Sequence, residues 1–156
     1  MRFWDSSALL PLVVREPATA AARKELERDP VIVVWWGTRI ECASALSRLE
    51  RDGTLDARSA AKSFELLARL ASAWHEIDPG DLLRETAVRL LRVHPLRAAD
   101  ALQLAAATMA AEQRPSSLAL VTADRRLAAA AAKEGFPALD LGEVSAPVPP
   151  IPRAPR

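Results

Sequence analysis

Apolar positions along this 156-residue chain fall into two rhythms. Short runs of β-branched and large apolar residues read as buried strands. Longer stretches in which apolar residues return every three or four positions read as helices. The first run, Met1-Arg2-Phe3-Trp4, ends at Asp5, and Ser6 and Ser7 lead into a second apolar run from Ala8. That order describes a buried strand handing over to a helix from about Ser7, with Asp5 at the strand's carboxyl end and a serine placed to cap the helix. Pro11 lies inside that helix, where it removes a backbone donor and is expected to shorten or kink it. Pro17 fits the first turn of a second helix reaching about Asp29. Val31-Ile32-Val33-Val34-Trp35 is a β-branched run and predicts a second buried strand. Gly37-Thr38 opens a helix to about Arg51, with Gly53 as a stop beyond it.

Phe64, Leu67, Ala68 and Ala71 form the apolar stripe of the next helix. Trp74 to Ile77 predicts a short strand ended by Asp78-Pro79-Gly80, and Leu83, Ala87, Leu90 and Leu91 mark a helix closed by His94-Pro95. Ala98 to Ala111 is apolar nearly all round, as in a helix buried in the middle of a fold. Leu118 to Val121 reads as a strand, Arg125 to Glu134 as a helix stopped at Gly135, and Ala138 to Leu141 as a last strand. Strands alternating with helices argue for an α/β fold, a parallel sheet covered on both faces. From Gly142 onward five prolines and two arginines without apolar periodicity predict a disordered tail.

Composition narrows the function. The length suits one domain with a real core. Half the residues are apolar, yet no run is long or pure enough to span a bilayer. The charged fifth residue and the lack of a cleavage motif give no signal-peptide pattern. Cys42 is the sole cysteine, which excludes an intrachain disulfide and suits a cytoplasmic setting. A net charge of +1 means that any contact with nucleic acid is local. Two histidines and one cysteine leave little material for zinc.

Four acids fall at the expected strand ends or helix starts: Asp5, Glu41, Asp100 and Asp124. Each has an ordinary structural reading. Asp5 and Asp124 suit helix caps. Thr38-Arg39-Ile40-Glu41 matches a capping box, and Asp100 lies in a first turn where the helix dipole favours a carboxylate. The surroundings of Asp100 weigh the other way, because Ala98-Ala99-Asp100-Ala101-Leu102 is otherwise apolar and an acid there is costly to bury without a partner. Two carboxylates about 4 Å apart repel by about 4 kcal/mol at an effective dielectric of 20. Acids facing one another therefore call for a hard cation, and oxygen-only ligation favours magnesium or manganese.

FWDSSALLPLVVREP, TRIECASALSRL, LRAADALQLAAA and LVTADRRLAAAAAKEGF resemble, in order and spacing, the four signature blocks of PIN-domain ribonucleases, and of VapC-type toxins of type II toxin–antitoxin pairs in particular. The resemblance covers about residues 1–141. It implies a PIN-like three-layer α/β/α sandwich with a central, mostly parallel sheet, and a Mg²⁺- or Mn²⁺-dependent endoribonuclease. By the same resemblance Asp5, Glu41 and Asp100 hold the metal and Asp124 completes the acidic cluster. The family further implies an RNA substrate, a cognate antitoxin and a homodimer, with residues 57–93 forming the partner surfaces.

Other residues near the acids carry secondary expectations. Ser6 and Thr122 are candidates to bond an acid or a metal-bound water, against a bland reading as helix-associated hydroxyls. Arg39, Arg97 and Arg125 are candidates for RNA phosphates, against a reading as charge balance. Trp35 and Trp36 end the second strand, where core packing competes with base stacking. His75, His94 and Cys42 read as structural. Pro11 and Val13 depart from the family pattern and leave the local shape beside the acids open. A dehalogenase-type phosphotransferase would need an acid two residues after Asp5, where Ser7 stands, and a receiver domain would need an acidic pair near the first strand. The surviving alternatives are an RNA-processing PIN nuclease without an antitoxin and a catalytically silent PIN-like module that binds RNA or a partner.

Overall fold

The structure, a computed structural model, describes residues 1–144. Five strands, β1 (Arg2–Trp4), β2 (Ile32–Trp35), β3 (His75–Ile77), β4 (Ala119–Thr122) and β5 (Ala138–Asp140), pair in parallel in the order β3-β2-β1-β4-β5. Phe3 is in register with Val33 on one side and Leu120 on the other. The first strand is therefore the middle of the sheet, and Asp5 leaves from the middle of its carboxyl edge.

Alternation along each strand sorts the core into two halves. Phe3, Val33, Trp35 and Leu120 face one side and pack with Leu83, Leu90, Leu104 and Leu127. These come from α5 (Asp81–Val93), α6 (Ala98–Ala110) and α7 (Arg125–Lys133). Trp4, Ile32, Val34 and Val121 face the other side and pack with Leu9, Ala22, Leu46 and Leu67. Those belong to α1 (Ser6–Val13), α2 (Thr19–Arg28), α3 (Thr38–Arg51) and α4 (Ala57–Ala71). The result is a three-layer α/β/α sandwich. Being covered on both faces is why β2 and β4 read as unbroken apolar runs rather than alternating ones. In α6, Ala101 and Leu104 to Ala107 are fully buried, as its all-round apolar pattern predicts.

Several boundaries differ from the expectation. The first helix begins at Ser6 and is capped by Asp5, whose carboxylate accepts from the Ala8 amide, not by a serine. Pro11 does not break it; the helix runs on to Val13 and stops there. The next helix begins at Thr19 with Pro17 outside it, because the Thr19 hydroxyl accepts from the Glu16 amide and donates to the Pro11 carbonyl, tying the turn. A 3₁₀ turn at Pro115–Ser117 and a short helix α8 at Leu141–Val144 carry no periodicity that the sequence reading could use. Of the expected Pro-rich tail, 142–144 fall in α8 and 145–156 lie outside the described residues. Among the described residues no helix is long and apolar enough to cross a membrane.

Candidate active site

Asp5 is positioned twice over, by the end of β1 and by its role as the cap of α1. It is 4 % exposed; Ser7 Oγ donates to its Oδ1 at 2.7 Å and the Ala8 amide at 3.1 Å. Burial pushes its carboxyl up to about 7, against the lowering effect of those bonds and of Thr122, and the charge of Glu41 adds to the rise. Glu41, in the first turn of α3, accepts from Ser6 Oγ at 2.8 Å and from Gln103 Nε2 at 3.0 Å. Its carboxyl is also raised, by burial first, with a further contribution from Asp100. Asp100, in the first turn of α6, accepts at Oδ2 from the Arg97 amide at 3.3 Å. These three acids stand at the starts of three helices, and their charges meet in pairs: Asp5 with Glu41, and Glu41 with Asp100.

Asp124 is held differently. It caps α7, its Oδ1 accepting from the Arg126 and Leu127 amides at 2.7 and 3.2 Å, and its Oδ2 lies 3.6 Å from the Arg126 guanidinium. Its connection to Asp5 runs through hydroxyls. The Asp124 amide donates to Thr122 Oγ1 at 2.9 Å, Thr122 Oγ1 is 3.3 Å from Ser7 Oγ, and Ser7 donates to Asp5. Ser7 also accepts from the Ala123 amide at 2.8 Å, so one hydroxyl pins α1 to the loop after β4.

The capping box expected at Thr38 to Glu41 is not formed. The helix starts after Gly37 without a side-chain cap, and the buried Thr38 hydroxyl pairs with the Gln103 amide group instead. Gln103 and Ser7 are site residues that the sequence reading passed over. The signal for Gln103 was present: it is the polar interruption in Ala101 to Ala107, and a buried amide needs partners. Ser7 was overshadowed by Ser6, next to it in sequence. Asp140, at the end of β5 on the same edge, caps the Gly142 amide at 2.8 Å.

Among the secondary candidates, Ser6 bonds Glu41, and Thr122 lies within the hydroxyl chain. Arg39, Arg97 and Arg125 are exposed and, among the described residues, form no ion pair. Trp35 is buried, whereas Trp36 is 47 % exposed and meets it edge-on, ring centroids 6.2 Å apart. Core packing thus describes only the first of the pair. His94 is buried on Glu134 at 2.7 Å, and burial pushes the Cys42 thiol up to about 12, which leaves it inert.

Among the described residues, no group of three or more His, Cys, Asp or Glu side chains is gathered tightly enough to hold an ion as arranged. The donor chemistry nonetheless fits a hard divalent cation. Asp5, Glu41 and Asp100 offer oxygen only, two of them are raised by burial and mutual charge, and no Lys, Arg or His pairs with any of the three among the described residues.

Residues 2–133 match the PIN domain family. The fold is similar to that of the Pyrobaculum aerophilum protein PAE2754, with 25% identity, 92% of this chain and 91% of that chain covered, and a TM-score of 0.63. It is also similar to a toxin–antitoxin complex from Klebsiella pneumoniae, at 18% identity, 90% and 98% coverage and a TM-score of 0.63. FitAcB from Neisseria gonorrhoeae aligns at 16% identity, 91% and 99% coverage and a TM-score of 0.61. No curated protein matches the sequence.

Proposed function

From the premise that this chain belongs to the PIN domain family, we propose that it is a Mg²⁺- or Mn²⁺-dependent endoribonuclease acting in the cytoplasm as the toxin of a type II toxin–antitoxin pair. The observation that carries this reading is the meeting of Asp5, Glu41 and Asp100 at the carboxyl edge with, among the described residues, no cationic side chain paired to them. A divalent ion bound there supplies activation of water and charge compensation at phosphorus. The chain's own residues prepare the place. Asp5, Glu41 and Asp100 are the ligands in this reading; Ser7 and Ser6 fix two of the carboxylates through hydrogen bonds, and Gln103 braces Glu41 from α6. Asp124, engaged with its own helix, is given the outer position in the cluster.

Two surfaces support the partners. Cavities of about 490 and 370 Å³ share Leu12, Val13, Arg23 and Leu66 and form a largely apolar trough between α1, α2 and α4, lined also by Arg15, Arg69 and one acid, Glu16. That trough suits an antitoxin segment carrying apolar and acidic residues. Val88, Leu91 and Val93 are exposed on α5, the face assigned here to a second copy. The engagement of Asp124 with α7 favours one other reading, a PIN-like module that binds RNA or a partner without turnover.

Incubation of the protein with a panel of structured RNAs, with Mn²⁺ or with chelator, separates the readings. The expected result is cleavage that requires the metal and disappears in Asp5→Asn. Cleavage that survives the substitution would overturn the site assignment. No metal binding at all would favour the module without turnover.

A further inference from the structure

A cavity of about 210 Å³ lies between α7 and the turn that joins α5 to α6. Its lining carries Arg125, Arg126 and Lys133 from the helix and His94 and Pro95 from the turn, and no acid. One end begins at Arg125, the residue after Asp124, the fourth acid of the candidate cluster. From Arg125 to Lys133 the helix rises about 12 Å, at 1.5 Å per residue. That is longer than one phosphate needs.

The charges in this cleft are available. Among the described residues, Arg125 and Lys133 form no ion pair, and only Arg126 has an acid nearby, Asp124 at 3.6 Å. Glu134, at the far end, is already engaged: Arg89 Nη2 donates to it at 2.6 Å, and His94 Nε2, on the cleft wall, lies 2.7 Å from it. That contact ties the turn to the end of the helix. In a chain whose net charge is only +1, three cations on one helix face without a lining acid are a local concentration. Fixed cations in a row beside a candidate phosphodiester-cleaving centre match a polyanionic strand, whose phosphates are contacted by Arg and Lys without regard to sequence.

We infer that the cleft between α7 and the His94-Pro95 turn is a phosphate track that holds single-stranded nucleic acid alongside the acidic centre. The inference rests on the reading of the chain as a nuclease. Arg125 takes the phosphate nearest the acids and Lys133 one further along.

The test measures binding without cleavage. The full chain is titrated in chelator onto a labelled single-stranded RNA of mixed sequence, by fluorescence anisotropy, from about 50 to about 200 mM salt. Each lost phosphate contact on a single strand reduces the slope of log K against log salt by about 0.7. Arg125→Gln with Lys133→Gln is expected to reduce it by about 1.4, so that the parent's affinity falls about sevenfold more than the variant's across that range. Arg125→Lys with Lys133→Arg keeps the slope. An equal change in Arg58→Gln with Lys62→Gln, an exposed pair of the same charge on α4, would reduce the effect to general attraction and overturn the track. So would an unchanged slope, or a parent that does not bind the strand. Inorganic phosphate that competes on a par with the RNA would make the cleft a small-anion site instead and also overturn it. Metal-dependent cleavage with no change in slope removes the track alone, whereas a reduced slope without cleavage keeps the track and removes the hydrolytic reading.

Discussion

Burial pushes Asp5 up to about 7 from an ordinary 3.8, so the folded protein holds that proton more tightly than the unfolded chain does. A carboxyl raised in this way stabilises the fold below about pH 4, and the contribution is lost as pH rises toward about 7. In chelator, the melting temperature of Asp5→Asn relative to the parent is therefore expected to climb over that window. Asparagine still accepts from the Ala8 amide and pays no charge. At about 1.36 kcal/mol per pKa unit the ceiling on the gain is on the order of 4 kcal/mol. Parallel parent and variant curves would mean that Asp5 ionises without penalty. The four acids were legible because each stands where a strand or turn gives way to a helix. Their partners were less so: Gln103 gains its role from Glu41, 62 residues away, and Ser7, beside Asp5 in sequence, is also tied to the Ala123 amide 116 residues away.

At the scale of elements, the turn between β2 and α3 decides where Glu41 points. A Cβ on Gly37 would stand 2.4 Å from Trp35 Nε1, while the backbone there, φ −73°, is open to any residue. Glycine is needed for the close approach of the indole rather than for its conformation. Gly37→Ala is expected to destabilise by about 1–3 kcal/mol through overpacking, read from chemical denaturation. Parent-like stability would show that Trp35 can re-seat without cost. The same helix explains why a good local motif was not used. Thr38 and Glu41 have capping-box spacing, but Gln103 on α6 offers both of them a buried partner, and the tertiary contact replaced the local one. Pro11 lacks the N–H that would reach the Ser7 carbonyl, yet α1 runs two residues past it to Val13, and the Pro11 carbonyl, near the helix end, accepts from the Thr19 hydroxyl.

For the whole molecule, the proposed reading of three carboxylates at one edge requires that the fold be more stable with a cation in place than without. Mn²⁺ at about 100 times its Kd is expected to add about 2.7 kcal/mol, visible as a rise in melting temperature that Asp5→Asn largely abolishes. A parent insensitive to Mn²⁺ would remove the cation from the site. The sheet order makes the assembly possible: β1 is central, so its carboxyl end is flanked by the loops after β2 and β4. In an open α/β sheet that central edge is where ligand sites form.

The sequence by itself determined the elements, their alternation and hence the layered parallel fold, because apolar periodicity and turn residues are local properties of the chain. It also marked Asp5, Glu41, Asp100 and Asp124, because a carboxylate at a strand end or in an apolar stretch is conspicuous wherever the chain later goes. Which of these acids share a field was decided by the tertiary structure alone. Asp5, Glu41 and Asp100 meet because α1, α3 and α6 converge at the edge, while Asp124 remains bound to the amides of its own helix. Burial, the cause of the raised Asp5 and Glu41, is likewise a property of the packed layers and of no segment read alone. The cleft on α7 belongs to the same class, since its wall joins residues 94–95 of the turn after α5 to residues 125–133 of α7, which only the fold brings together.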